Sequence, residues 1–219
     1  NGYGLYTQNA YLAGNANIWG TISAGDAYGF DPVFYAGRIQ KNYAKISEGV
    51  DAGTTGYPLW AWTGNSNFVV GTTSTQTPGG STGLVSTIRK SNSSGNVYAI
   101  IHGDTTRSWV AAGAYENKTW VISFWVRVSN AALAGNHTFY KYFYPTNQTD
   151  LGTQVVNITT EWKRVSLVFN CPNDPTSENY PRAVLELTYS ATYNYQFHGL
   201  QIEEGSLSTI YQKTDGSTP

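Results

Sequence analysis

The stretch that decides the fold is TWVISFWVRVS, Thr119 to Ser129. Apolar side chains recur at every second residue, which is the period of a β-strand. Successive side chains of a strand point to opposite faces, so the stretch has two predicted faces. One carries Trp120, Ile122, Phe124, Val126 and Val128, and the other carries Val121, Ser123, Trp125 and Arg127. We therefore expect a strand that buries its first face in a core.

Segments with the same alternation lie on both sides of this stretch, while helical periodicity is almost absent. They are NFVVG, GLVSTIRK, VYAIIHG, HTFYKYFYP, WKRVSLVF, RAVLELTY and FHGLQIEE. Clusters of Gly, Pro, Asn and Asp separate them at intervals typical of hairpins. Many short strands with this punctuation predict an all-β fold, an antiparallel β-sandwich of the jelly-roll type.

The closing segment GLQIEEGSLSTIYQ, residues 199–212, contains two adjacent carboxylates, Glu203 and Glu204. Paired carboxylates are what glycoside hydrolysis requires. Neighbouring residues of a strand face opposite ways, however, so these two are not expected to meet at one substrate. Gly205 predicts that the strand ends here, near water. We interpret the segment as a last strand with Leu200 and Ile202 buried.

Composition excludes several classes of function. The chain has 219 residues with 13 basic and 14 acidic side chains, and only 12% of residues are charged. Nucleic-acid binding requires a clustered basic face, which this balance argues against. No apolar run reaches the length of a membrane helix. The single cysteine, Cys171, rules out an intrachain disulfide.

The first part of the chain has a different composition from the rest. Residues 1–57 are rich in glycine, and their apolar residues are spaced too widely for a core of their own. We predict an oligomeric β stem at residues 1–57, intertwined with other copies, followed by the sandwich at residues 58–219; a flexible linker is the alternative for the first part. Because the chain begins at Asn1 and has no methionine, we expect a piece of a longer polypeptide.

The tyrosine-rich run FYKYFYP, residues 139–145, supplies candidate binding residues. Alternation predicts Phe139 and Phe143 in the core and the tyrosines outside. Aromatic rings and hydrogen-bonding side chains together suit sugar surfaces. If this strand neighbours Thr119 to Ser129, one platform forms, which Glu186 would join. The predicted ligand-binding residues are Trp125, Arg127, Tyr140, Tyr142 and Tyr144. The alternative is that this face is a subunit interface, because interfaces favour the same residue types.

Catalytic and metal-binding patterns are weak. The acidic residues are scattered, and His102, His137 and His198 lie far apart in sequence, without carboxylates at ligand spacing. Structural zinc needs a recognisable cluster of ligands. The sequence therefore predicts no catalytic residues, no cofactor and no metal site.

Two resemblances cover nearly the whole chain. NAYLAGNANIWGTISAGDAYGF followed by FYAGRIQKN resembles the stem-to-tip region of phage tail fibre and host-specificity proteins. The opening WAW, TWVISFWVRVS, TTEWKRVSLVF and the closing FHGLQIEEGSLSTIYQ resemble the jelly-roll modules of the carbohydrate-binding type that often end such fibres. Related modules often hold a structural calcium through an aspartate in the last strand. Here His198 lies near that position, which leaves loop carboxylates such as Asp104 and Asp150 as the available oxygen ligands.

The resemblance implies a virion protein, extracellular, that forms a homotrimer. Its expected partner is a host cell-surface glycan or outer-membrane receptor, bound without catalysis, with no nucleic acid and no membrane insertion. Three other interpretations stay open at this point: a purely structural fibre module, a polysaccharide depolymerase, and a carbohydrate-binding module of a secreted glycosidase.

Overall fold

The computed structural model describes residues 42–44, 59–62, 68–102, 110–111, 113–144, 149–173, 179–209, 211 and 213–214. At residues 59–62, 102 and 144 it describes the backbone alone. The predicted stem, apart from residues 42–44, lies outside the described residues. So does Asp104, one of the two loop carboxylates considered for calcium.

Ten strands follow one another along the chain. They are β1 (Leu59–Trp62), β2 (Phe68–Gln76), β3 (Thr82–Lys90), β4 (Tyr98–His102), β5 (Thr119–Val128), β6 (Gly135–Tyr144), β7 (Thr149–Ile158), β8 (Lys163–Asn170), β9 (Tyr180–Glu186) and β10 (Tyr195–Glu204). The first sheet has the order β1-β4-β9-β6-β7 and the second the order β2-β3-β10-β5-β8. All pairs of neighbouring strands are antiparallel. Two five-stranded sheets enclosing one core form a β-sandwich, which confirms the predicted fold class.

The core forms from the side chains that alternation assigns to the inside. On β5 the five predicted inward residues are each at most 2% exposed. Val165, Leu167 and Phe169 of β8 are buried opposite them, and Phe139 and Phe143 of β6 are completely inaccessible. Burying a large apolar side chain contributes about 1.5–3 kcal/mol, so the alternating pattern largely determines which face of each strand turns inward.

Residues 42–44 belong to the sandwich, although the sequence analysis assigned them to the stem. The Asn42 side chain is 1% exposed; it donates to the Leu200 carbonyl and accepts from the Ile202 amide, both at 3.0 Å. The Tyr43 amide donates to the Ile202 carbonyl at 2.8 Å. Leu200 and Ile202 lie beyond residues 195–197, the part of β10 that pairs with β3. The contacts with Asn42 and Tyr43 therefore give hydrogen-bond partners to backbone groups of β10 that β3 does not reach. The compact unit that contains the sandwich begins at Gln40, earlier than the predicted boundary at residue 58.

Helical structure is minor among the described residues: a single 3-10 turn, Ala131–Leu133, capped by the Asn130 side chain. None of the described helices has the length and apolar character needed to cross a membrane.

Candidate functional site

The predicted platform does not form, because its residues divide between the two sheets. Trp125 and Arg127 lie on β5 in the second sheet, whereas Tyr140, Tyr142 and Tyr144 lie on β6 in the first. Residues that point away from the core on opposite sheets of a sandwich face opposite sides of the domain. The condition for a single platform, that β5 and β6 are neighbours, is therefore not met.

Trp125 is engaged in contacts within the chain. The Arg164 guanidinium lies 4.0 Å from the centre of its ring, and the Tyr211 ring meets it edge to face at a centroid distance of 5.2 Å. The backbone of Gly199 passes so close that an added Cβ would lie 2.7 Å from the Trp125 ring. The C-terminal segment, of which residues 206–209 and 211 are described, thus packs across the outside of the second sheet at Trp125.

Arg127 is also occupied by neighbours in the same chain. Its Nε donates to Gln196 Oε1 at 2.6 Å and its Nη2 to Thr75 Oγ1 at 3.0 Å. Its guanidinium lies 4.5 Å from the centre of the Trp162 ring, and burial lowers the pKa of Arg127 while Glu161 partly opposes that shift. The Trp162 indole in turn donates to the Gln76 carbonyl at 2.8 Å.

A buried carboxylate holds the C-terminal segment in place. Glu203 is 1% exposed and accepts hydrogen bonds from the amide of Thr209 at 3.0 Å and from its hydroxyl. Burial lowers the pKa of the neighbouring Arg164 from 12.5 to about 10, and Glu203 opposes that shift. We call this outer side of the second sheet, with Trp125, Arg127 and the segment over them, the covered face.

The two glutamates of the closing strand therefore have different surroundings. Glu204 forms an exposed ion pair with Lys118 at 3.2 Å, whereas Glu203 is buried under the C-terminal segment. The two side chains make different contacts, as expected for adjacent residues of a strand, which point to opposite faces. The expectation that both lie near water is wrong for Glu203, because residues 206–209 fold back over it.

The outer side of the first sheet carries a cluster of tyrosines, and we call it the tyrosine face. Tyr98 of β4 and Tyr140 and Tyr142 of β6 are each half-buried. Ile100 and Val184, on the same side, are only 4% and 7% exposed, so this part of the sheet is not a flat, solvated surface. The side chain of Tyr144, the third predicted tyrosine of β6, lies outside the described residues.

Strand register brings polar side chains next to these rings. Tyr142 is paired with Arg182 of β9 on one side and with Asp150 of β7 on the other, so the three form one row across the sheet. Tyr98 is paired with Glu186, which is exposed. Adjacent strands lie about 4.8 Å apart, so the rings, one guanidinium and two carboxylates share one continuous surface.

The electrostatics of Tyr142 reflect this crowding. Burial raises its pKa above the ordinary value of 10.0, the nearby Asp150 raises it further, and Tyr140 and Tyr98 add smaller contributions of the same sign. Arg182 acts in the opposite direction. The Tyr98 hydroxyl accepts a hydrogen bond from Nδ2 of the Asn96 side chain at 3.1 Å. Because its pKa is raised, Tyr142 keeps its hydroxyl proton at neutral pH, and this hydroxyl can donate as well as accept a hydrogen bond.

Sequence reasoning found part of this site and missed part. It named Tyr140 and Tyr142 and considered Glu186, but it did not identify Tyr98, Arg182 or Asp150 as members of the same surface. Tyr98 and Arg182 each lie in a predicted strand, and the alternation of that strand could have indicated that their side chains point outward. The sequence did not give the order of the strands in the sheet, which is what brings these side chains together.

Comparison with known proteins gives fold-level similarity. No family model and no curated protein matches the chain. An exo-β-agarase structure matches with a TM-score of 0.51 and 8% identity over 75% of this chain and 26% of its own, so this chain spans about a quarter of it. The CBM22-1 xylan-binding domain of Xyn10C from Paenibacillus barcinonensis matches with a TM-score of 0.49 and 12% identity, over 78% of this chain and 100% of its own. The enzymatically active domain of tailspike protein 4 of bacteriophage CBA120 matches with a TM-score of 0.46 and 10% identity, over 67% of this chain and 19% of its own.

Proposed function

We propose that the sandwich binds a glycan on the tyrosine face without catalysis. The observation that carries this proposal is the single surface of Tyr98, Tyr140 and Tyr142 with Arg182, Asp150 and Glu186 in adjacent register. Sugar rings present apolar C–H faces and hydroxyl rims, and such ligands are held by aromatic walls with a few convergent polar groups. Domains whose solved structures resemble this one include a xylan-binding domain, and that resemblance is consistent with the proposal.

The positions of the carboxylates support binding rather than hydrolysis. Two catalytic carboxyl groups lie about 5–9.5 Å apart. Asp150 is in the row of Arg182, and Glu186 is four residues further along β9. Four residues of a strand span about 13 Å, and β6 lies between β7 and β9. The two carboxylates of the tyrosine face are thus poorly placed to flank one glycosidic bond.

Binding to an array tests the proposal. The array carries capsule and lipopolysaccharide glycans of bacteria together with xylan and agarose oligosaccharides. Tyr140→Ala and Tyr142→Ala should each weaken binding at least tenfold, which corresponds to about 1.4 kcal/mol. Tyr189→Ala is the matched control, because Tyr189 is a 45% exposed tyrosine beside Lys90 of β3, in the other sheet, and it should bind as the wild type does. Absence of binding to every glycan, or unchanged binding in both test variants, would overturn the proposal.

We propose more specifically that the chain is the host-recognition tip of a phage tail fibre. It would be located in the virion and assembled as a homotrimer. This assignment is supported by the resemblance of the N-terminal stretches to fibre proteins. Selective binding to bacterial surface glycans, with loss of adsorption to host cells in Tyr142→Ala, would support it. Binding restricted to xylan or agarose would instead favour a module of a secreted glycosidase. The mass of the full chain in solution tests the trimer, because the particle is then expected to contain a multiple of three chains of 24.0 kDa.

A further inference from the structure

Strand β2 forms an edge of the second sheet that differs from the other sheet edges. Edge strands expose unpaired backbone groups, and proteins commonly protect them with short length, charged residues, proline or bulges. Among the four edge strands of the described residues, β1 has four residues, β8 carries Lys163 and Arg164, and β7 carries Asp150 and a register shift beside Gly152. β2 has nine residues, FVVGTTSTQ, with no charge, no proline and a continuous register with β3.

The hydrogen-bond pattern shows which backbone groups point to this edge. The Thr77 amide donates to the carbonyl of Ser81, directly opposite, at 2.8 Å, so these two residues form a hydrogen-bonded pair. Such pairs alternate along an antiparallel ladder with pairs whose backbone groups point away. The amides and carbonyls of residues 68, 70, 72, 74 and 76 therefore point to the open edge. One of these groups has a described partner: the Gln76 carbonyl accepts from the Trp162 indole.

The edge of β2 is complementary to itself. The Gln76 carbonyl is already used by Trp162, so among the described residues the free part of this edge is residues 68–74. Antiparallel pairing of this segment with the same segment of a second copy places residue 68 opposite 74 and 70 opposite 72. Every residue with outward backbone groups then meets another of the same kind, as an antiparallel ladder requires. No like charges meet, and the valines and threonines are residues that pair well across strands.

From this geometry we propose that β2 pairs with β2 of a second copy of this chain, which joins two sandwiches through one continuous ten-stranded sheet. The contact is twofold and isologous, with Gly71 on the axis. It adds to any assembly through residues 1–57: single chains become dimers, and trimers become hexamers. The exposed Val69, at 44%, lies opposite Thr73 of the second copy in this register.

Sedimentation of the full chain with edge variants tests the pairing. Thr72→Pro removes an amide that the ladder with β3 does not use, and proline is tolerated at such edge positions. Val69→Lys places a charge at the edge without touching the backbone. Both variants should halve the mass of the wild-type particle at the same concentration. Val155→Lys is the matched control: Val155 is a 61% exposed valine on the edge strand β7 of the other sheet, and its variant should keep the wild-type mass.

The folded state of each variant is checked by far-ultraviolet circular dichroism and thermal unfolding; if Thr72→Pro fails to fold, Val69→Lys decides. A folded Val69→Lys variant that retains the wild-type mass would overturn the proposal. So would a wild-type chain that sediments with an odd number of copies at a concentration of about 100 μM, since that concentration suffices for a weak specific contact.

Discussion

The two outer faces of the sandwich use the same kinds of side chain in different ways. On the covered face, Trp125 and Arg127 are occupied by Arg164, Tyr211 and Trp162 of the same chain. On the tyrosine face, the rings of Tyr140 and Tyr142 are half-buried beside Arg182, Asp150 and Glu186. Aromatic and arginine residues thus indicate a binding surface only when the rest of the fold leaves them accessible.

The comparison predicts a division of effects between the two faces. Substitutions on the covered face should lower stability and leave glycan binding unchanged. Substitutions on the tyrosine face should weaken glycan binding and leave stability nearly unchanged.

The largest effect on stability is expected from Gly199→Ala. Gly199 has φ +64°, and a Cβ there would lie 2.7 Å from two carbon atoms of the Trp125 ring. A left-handed conformation costs a residue with a side chain about 1–2 kcal/mol, and displacing the packed ring adds to this, so we expect a loss of about 3 kcal/mol. Denaturant unfolding measures it. Gly79→Ala, where a Cβ meets nothing within 4 Å, should be close to neutral; equal effects of the two changes would contradict the role of Gly199.

A smaller loss is expected when the buried carboxylate is removed. Glu203→Ala leaves the Thr209 amide without its acceptor and Arg164 without its neighbouring negative charge, which should cost about 2 kcal/mol. Glu204→Ala breaks an exposed ion pair and should cost at most about 0.5 kcal/mol. Thermal unfolding compares the two variants. Limited proteolysis should also cleave residues 206–209 faster in Glu203→Ala alone; equal cleavage in both variants would show that Glu203 does not hold these residues.

The smallest effect on stability is expected at Tyr142, where the informative measurement is titration. The folded pKa of Tyr142 is raised above 10.0, so the folded state keeps this proton longer than the unfolded state does. Its contribution to stability is therefore complete below pH 10 and is lost as the pH rises through the folded pKa. Tyrosinate absorbance at 295 nm should show a late-ionising signal to which Tyr142 and the buried Tyr195 both contribute, and Tyr142→Phe should reduce its amplitude. A Tyr140→Phe chain serves as the comparison, and a late signal of unchanged amplitude in Tyr142→Phe would contradict the crowding around Tyr142.

Local sequence pattern predicted most of the strands but not all of them. The alternation of β5, β6, β8 and β10 is strong because large apolar residues occupy nearly every inward position. β7, TDLGTQVVNI, was not predicted. Polar residues dilute its alternation, and it is an edge strand whose outer positions are exposed. The place of Asn42 in the sandwich was not predicted either, because Asn42 is a polar residue whose burial depends on two partners on β10, Leu200 and Ile202.

The sequence by itself determined that this protein is all-β and which face of each main strand is buried, because side-chain alternation and apolar burial are local consequences of residue order. Only the tertiary structure decided that β5 and β6 lie in different sheets, that Tyr211 of the C-terminal segment packs on Trp125, and that Tyr98, Arg182 and Asp150 join the tyrosines. The physical reason is that backbone hydrogen bonds are the same for every residue type. Which strands become neighbours is therefore decided by the packing of the whole chain.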